Sequence, residues 1–300
     1  MMNEVGEIYT KEIEALLSKI NESDLTKETM IQLKESVKTI FTSTNLQRIY
    51  EDDKLNEIVT RTLQTLLKVH VCPVVIVYED EEGQNKTENG SGVLVDFGMG
   101  IFLVTNKHII DFCRMNKQKF LRVGQALIEI DEVLIDSNDT LDLATIKITQ
   151  DHLQQICKYS YKEPYCPEYG PPSDFTELVD EMVTITGFPG VFRIDSSDVS
   201  TLEYAAFTGP ISDVSEISLT IPMELEKCEK IFGYRDPELF RIRLGGFSGG
   251  GVFFLKNDGT IHLAGIIKED LGSFLLGFKA TPSRLIMANG EIDKRYDLHR

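Results

Sequence analysis

A chain of 300 residues, 42% hydrophobic and 26% charged, can build one large or two modest domains around a substantial core. Its formal net charge of −17 argues against a nucleic-acid binder, because phosphate backbones demand a basic surface. No apolar run reaches the ~20 residues of a membrane span, and the opening MMNEVGEIYTKEIE has early acids and no apolar core of a secretory signal. The five cysteines are odd in number, scattered and free of any CxxC pair, which points to reduced thiols and a cytoplasmic location.

Residues 1–68 read as helices. Val5, Ile8, Tyr9, Ile13, Leu16, Leu17 and Ile20 recur at helical period. So do Met30, Leu33, Val37, Ile40 and Phe41, and then Leu55, Ile58, Val59, Leu63, Leu66 and Leu67. NESD (21–24) and TSTN (42–45) supply breaks and caps. This segment holds no catalytic cluster, and its amphipathic faces suit packing or the docking of a regulatory protein.

From His70 the pattern changes to short β-branched and aromatic runs separated by turn residues. VCPVVIVYED, GSGVLVDF, GIFLVTNKHII, ALIEIDEVLID, LDLATIKI, MVTITGF, EISLTIP, GVFFL, IHLAGII and FLLGFKA follow in order. Such spacing predicts an all-β barrel or sandwich over 69–300. The proline-rich SYKEPYCPEYGPPSDF (160–175) reads as a long surface loop. The histidines His70, His108, His152, His262 and His299 lack metal-ligand spacing, so neither a metal nor another cofactor is expected.

One stretch carries chemistry: RLGGFSGGGVFFL, residues 243–255, with Ser248 among glycines. Gly246-Phe247-Ser248-Gly249-Gly250 fits G-x-S-x-G, which occurs both at the strand–turn–helix elbow of α/β-hydrolases and in chymotrypsin-like nucleophile loops. The elbow needs the acid and then the histidine downstream. Here only His262, in a strand-like run, and His299 follow, and GGGVFFL starts a helix badly. The order histidine, acid, serine is met upstream instead. His108 follows the apolar run LVTNK, and Asp142 opens the alternating LATIKI. Asp131, Asp136 and Asp139 lie nearby, but none opens that strand directly.

With these residues in place, region 70–285 resembles the trypsin-like serine peptidases, nearer the short HtrA-type domains than the secreted digestive enzymes. GSGVLV, LVTNKHII, DLATIKI, ITGFPG, GFSGGGVF, LAGII and GFKATPS occur in the family's order. The resemblance implies a double β-barrel, chymotrypsin-like, behind a helical N-terminal segment (1–68). It implies an endopeptidase in which Ser248 attacks a polypeptide carbonyl, His108 moves its proton and Asp142 orients the imidazole. It also implies an oxyanion hole from the N–H groups of Gly246 and Ser248, with Gly249 and Gly250 allowing close substrate approach. Substrate would add as a strand to Ile266, Ile267, Lys268 and Glu269. The side-chain pocket would draw on Ile242, Leu244, Gly277 and Phe278.

Two residues depart from the family pattern. Phe247 stands where secreted relatives carry an acid that pairs with a newly cut N-terminus, and Lys268 falls near the place of a small hydroxyl residue that supports the catalytic acid. These departures keep open a barrel that binds peptides or serves as a scaffold without turnover; an esterase is a third reading.

Overall fold

The computed structural model describes residues 11, 13–15, 17, 26–43, 52–167, 178–195, 200–223, 245–256, 258–271 and 276–297. Among the described residues no helix is long and apolar enough to cross a membrane. Helix α1 (Lys27–Ser43) and helix α2 (Asp53–Lys68) pair through Met30, Leu33, Val37, Ile40, Leu55, Ile58 and Leu66, with Ile13 buried among them. Asp52 caps α2, its carboxylate accepting from the Leu55 N–H at 3.1 Å. Most of the first expected helix, including Val5, Ile8, Tyr9, Leu16 and Ile20, lies outside the described residues.

Two seven-stranded antiparallel sheets follow. The first contains β1 (Val71–Glu79), β2 (Asn85–Asp96), β3 (Ile101–Thr105), β4 (Phe120–Val123), β5 (Ala126–Glu129), β6 (Leu134–Asn138) and β7 (Leu143–Ile148), in the order β5-β4-β1-β2-β3-β7-β6. The second contains β8 (Met182–Gly187), β11 (Ala205–Pro210), β12 (Asp213–Val214), β13 (Leu219–Pro222), β14 (Gly251–Leu255), β15 (Ile261–Asp270) and β16 (Gly277–Pro282), in the order β11-β8-β14-β15-β16-β13-β12. A two-stranded ribbon of β9 (Arg193–Asp195) and β10 (Ser200–Leu202) stands apart. Both large sheets curl around their own cores, giving the double β-barrel, chymotrypsin-like architecture with its helical N-terminal part.

The continuous apolar runs have a physical reason. Successive side chains on a strand point to opposite faces. Leu94 and Leu103 fill the first barrel, whereas Val93, Val95 and Val104 face the second. Val252, Phe254 and Ile267 fill the second barrel, whereas Phe253 and Ile266 face the first. A strand buried on both faces cannot alternate with polar residues.

The helices pack onto the β14–β15 end that carries Leu255 and Ile261, and Gly259 lies against Lys38. This is the end of β14 remote from Ser248. The expected loop at 160–175 is only partly one. Residues 168–175 lie outside the described residues, but Tyr165 is buried and exchanges backbone hydrogen bonds with Leu94 and Asp96, each 2.8 Å long. Lys162 is buried too, its ammonium donating to the Lys68 carbonyl at the end of α2. Two helices inside the β region escaped the expected pattern: α3 (Lys107–Met115) and α5 (Gln150–Ile156), separated by a one-turn helix, α4 (Ile130–Val133), that interrupts the expected strand ALIEIDEVLID.

The seam between helices and barrel also sets a pH response. His70 is buried, and its Nδ1–H donates to the Glu163 carbonyl at 2.9 Å. Burial disfavours the imidazolium and lowers its pKa from 6.5 to about 4. Between those values the unfolded chain binds a proton that the folded chain refuses, so stability rises with pH there. Urea midpoints should therefore fall as pH drops from 6.5 toward 4.5, and His70→Gln should flatten the slope. An unchanged slope in that variant would contradict the assignment.

Candidate active site

Strand β3 delivers Thr105 to the barrel rim, and Asn106 occupies the N-cap of α3. His108 is thus the second residue of a helix, not the end of a strand. Asp142, just before β7, holds the left-handed conformation at φ +49. Its carboxylate grips His108 twice. Oδ1 accepts the His108 backbone N–H at 2.9 Å, and Oδ2 meets Nδ1 at 2.7 Å. An ionised carboxylate only accepts, so Nδ1 donates to Oδ2, and in the neutral imidazole Nε2 is then the acceptor. The same carboxylate also satisfies one of the orphan N–H groups opening α3, where negative charge is favoured.

The neighbouring acids are committed elsewhere. Asp131 pairs with Arg114 at 2.8 Å, and Asp139 with Lys107 at 2.9 Å. Asp136 accepts from the Ile292 N–H at 2.8 Å and pairs with Lys294. Of the four candidates, Asp142 is the one on His108.

The Ser248 loop is tied to the first barrel by Ser91 on β2, a fully buried residue that the sequence marks only as part of GSGVLV. The Ser91 N–H donates to the Ser248 carbonyl at 2.8 Å, and its hydroxyl donates to the Gly246 carbonyl at 2.6 Å. The Ser91 carbonyl accepts from the Thr105 hydroxyl at 2.7 Å, three residues before His108. One serine therefore links the histidine and serine segments. Gly90 makes the same point sterically. A Cβ there would sit 2.3 Å from Ile109 Cδ1 and 3.3 Å from the Ser248 carbonyl oxygen.

The glycines answer to the chain's own backbone. Gly246 has φ +99, and a side chain on it would meet the Phe188 carbonyl at 2.6 Å. A Cβ on Gly249, φ +84, would lie 2.0 Å from the Ser91 carbonyl; one on Gly250 would lie 2.0 Å from that of Thr186. The close approach expected there for substrate is occupied by β2 and β8. Among the described residues, neither the Gly246 nor the Ser248 N–H has an acceptor. The Ser248 hydroxyl likewise has no hydrogen-bond partner among them, so the structure joins His108 to Asp142 but not to Ser248.

The expected substrate edge shifts. Ile266 and Ile267 are buried, and Ile266 is paired with Gly251 and Thr281. The Ile267 N–H donates to Gly250 at 2.8 Å and its carbonyl accepts from Gly249 at 2.9 Å, so neither residue can receive an added strand. Among the described residues no β14-side backbone partner is recorded for Lys268 or Glu269. Lys268 is the bulged residue of β15, and its ammonium donates to the Thr140 carbonyl at 2.9 Å. Gly277 packs on β13, where a Cβ would meet the Ile221 carbonyl at 2.4 Å, and Phe278 is buried against Phe247 with ring centroids 5.0 Å apart. These two serve the barrel core rather than a pocket. Ile242 and Leu244 lie outside the described residues.

Among the described residues no group of three His, Cys, Asp or Glu could hold a metal ion, and Cys72, Cys113, Cys157 and Cys166 are free thiols. No family model matches the chain, and no curated protein matches it. Among solved structures it is similar to the serine protease domain of the Sesbania mosaic virus polyprotein. That likeness has 14% sequence identity and a TM-score of 0.38, over 69% of this chain and 86% of the viral one.

Proposed function

We propose that this chain is a serine endopeptidase of the trypsin-like type, akin to the HtrA-type domains, acting on polypeptides through an acyl-enzyme. The observation that carries the reading is the double grip of Asp142 on His108, beside a Ser248 loop that Ser91 of β2 links to Thr105, three residues before His108. In this mechanism Nε2 takes the Ser248 proton as Oγ attacks the scissile carbonyl. The proton then passes to the leaving amine, and water repeats the cycle on the ester. The N–H groups of Gly246 and Ser248, without an acceptor among the described residues, would receive the oxyanion, an interaction worth about 3 kcal/mol per donor. Catalytic hydrogen bonds to the nucleophile often tighten only with substrate in place, which accommodates the unjoined Ser248 hydroxyl.

The free thiols support a reducing, cytoplasmic setting. The N-terminal helices would receive a regulatory protein; because they pack on the far end of β14, such a partner would act at a distance and not by covering the site.

Full-length protein incubated with an unfolded, fluorescently labelled polypeptide should release fragments, and Ser248→Ala should release none. A second reading, a peptide-binding barrel without turnover, is favoured by the absence of a Ser248–His108 hydrogen bond among the described residues. Equal binding of the polypeptide by both proteins, with no fragments from either, would establish it in place of the first.

A further inference from the structure

Three consecutive carbonyls around the candidate acid are each held by a distant side chain. Lys268 Nζ donates to Thr140 at 2.9 Å, Thr281 Oγ1 to Leu141 at 2.7 Å, and Asn106 Nδ2 to Asp142 at 2.7 Å. We propose that Thr281, Lys268 and Asn106 are positioning residues that hold the Asp142 loop in register with Ser248, so that the barrel carrying the serine also aligns the acid. This rests on the peptidase reading.

The loop needs holding. A non-glycine residue at φ +49 is strained by about 1 kcal/mol or more, and such a conformation persists only when its surroundings over-determine it. The loop's own contribution is small: Leu141 N–H on the Asn138 side chain at 2.9 Å and a long 3.3 Å bond from Asp142 N–H to the Asp139 carbonyl. The remaining holds come from far away in sequence, and two of them come from the second barrel.

Two of the donors, Asn106 and Lys268, are turned from a more ordinary role. Asn106 sits at the N-cap of α3, where Asn commonly accepts from the first turn, yet it makes no side-chain cap bond and turns its amide to Asp142. Lys268 lies at the β-bulge between Ile267 and Glu269, a distortion that re-aims a side chain, and its ammonium crosses from β15 to the loop before β7. Thr281 and Asn106 are fully buried, so neither hydroxyl nor amide has bulk water as an alternative partner. Lys268 is therefore not a vacancy in the acid's support but a longer substitute for the small hydroxyl of the family pattern, reaching the loop two residues before the acid.

The test uses full-length protein and the variants Thr281→Val, Lys268→Met and Asn106→Leu, with Thr281→Ser as the conservative control. If the clamp aligns the pair, each loss variant should lower kcat for a peptide substrate about 10- to 100-fold with KM changed less than twofold, since a misplacement near 1 Å costs about that much. Thr281→Ser should recover to within about threefold of the parent. Independently of turnover, the His108 Nδ1–H should give a low-field proton NMR signal, assigned by its loss in His108→Ala. It should survive in Thr281→Ser and vanish or move upfield in Thr281→Val.

Folded loss variants with unchanged kcat and an unchanged low-field signal would overturn the clamp. Should Thr281→Val fail to fold, Lys268→Met, on a half-buried side chain, decides the matter by the same two readouts. Should the parent protein hydrolyse nothing, the peptidase reading fails, and the low-field signal alone still decides whether these residues hold the acid on the histidine.

Discussion

Replacing Asp142 by Asn should lower kcat about 10,000-fold in the full-length protein while leaving KM within a few-fold. The two grips on His108 explain the size. Asparagine keeps one acceptor oxygen, which can still receive the His108 backbone N–H now 2.9 Å from Oδ1. Its amide nitrogen then faces Nδ1, where the carboxylate oxygen lies at 2.7 Å, and an amide N–H can only donate. Nδ1 must become the acceptor, the proton moves to Nε2, and the base is blocked where it should meet Ser248. The helix start and the fold are retained, so thermal unfolding should shift little. Steady-state kinetics on one peptide check this, and a loss below about tenfold would mean that Asp142 does not orient a working base.

The second large effect concerns stability. Phe247 is 2% exposed, its ring packs on Phe278 at a centroid distance of 5.0 Å, and a Cβ on Gly187 would touch it at 2.9 Å. Phe247→Ala should cost about 3–5 kcal/mol, the range for emptying a buried aromatic site. Phe247→Asp should be worse, because it buries a carboxylate among the apolar side chains of the second barrel's core. Phe247→Leu should keep most of the stability. Since Phe247 lies between Gly246 and Ser248, packing of its ring anchors the loop that carries the proposed nucleophile. Urea denaturation measures the differences directly. A loss under about 1 kcal/mol in Phe247→Ala would show that the ring does not anchor the loop.

Much of this molecule is legible from its residues. The order of His108, Asp142 and Ser248 and the strand runs follow from local pattern, the two barrels from the family resemblance, and Asp142 could be preferred over Asp131, Asp136 and Asp139 because it opens β7. What escaped depends on distant partners. Helix α3 reads as a strand because His108, Ile109 and Ile110 continue an apolar run, yet its first turn is held by a carboxylate 34 residues away. α5 did carry a local signal in Thr149, whose hydroxyl accepts the His152 N–H. The glycines after Ser248 look like room for substrate, but their space is filled by Ser91 and Thr186, which no spacing in the sequence connects to them. Ile266 and Ile267 read as part of the substrate edge, but the backbone partners of Ile267 are Gly249 and Gly250, outside any strand run. Ser91, Asn106 and Thr281 look like ordinary polar residues in or beside strands, and their work is visible only across the fold.

The most direct test is covalent capture of the nucleophile. A fluorophosphonate probe reacts with a serine only when a neighbouring base activates it, so it reports the assembled site without requiring the natural substrate. Full-length protein should be labelled, the adduct should map by mass spectrometry to the peptide containing Ser248, and the labelling rate should fall more than about 100-fold in His108→Ala, in keeping with the contribution of a general base. Absence of labelling, or an adduct on any other residue, would contradict the account.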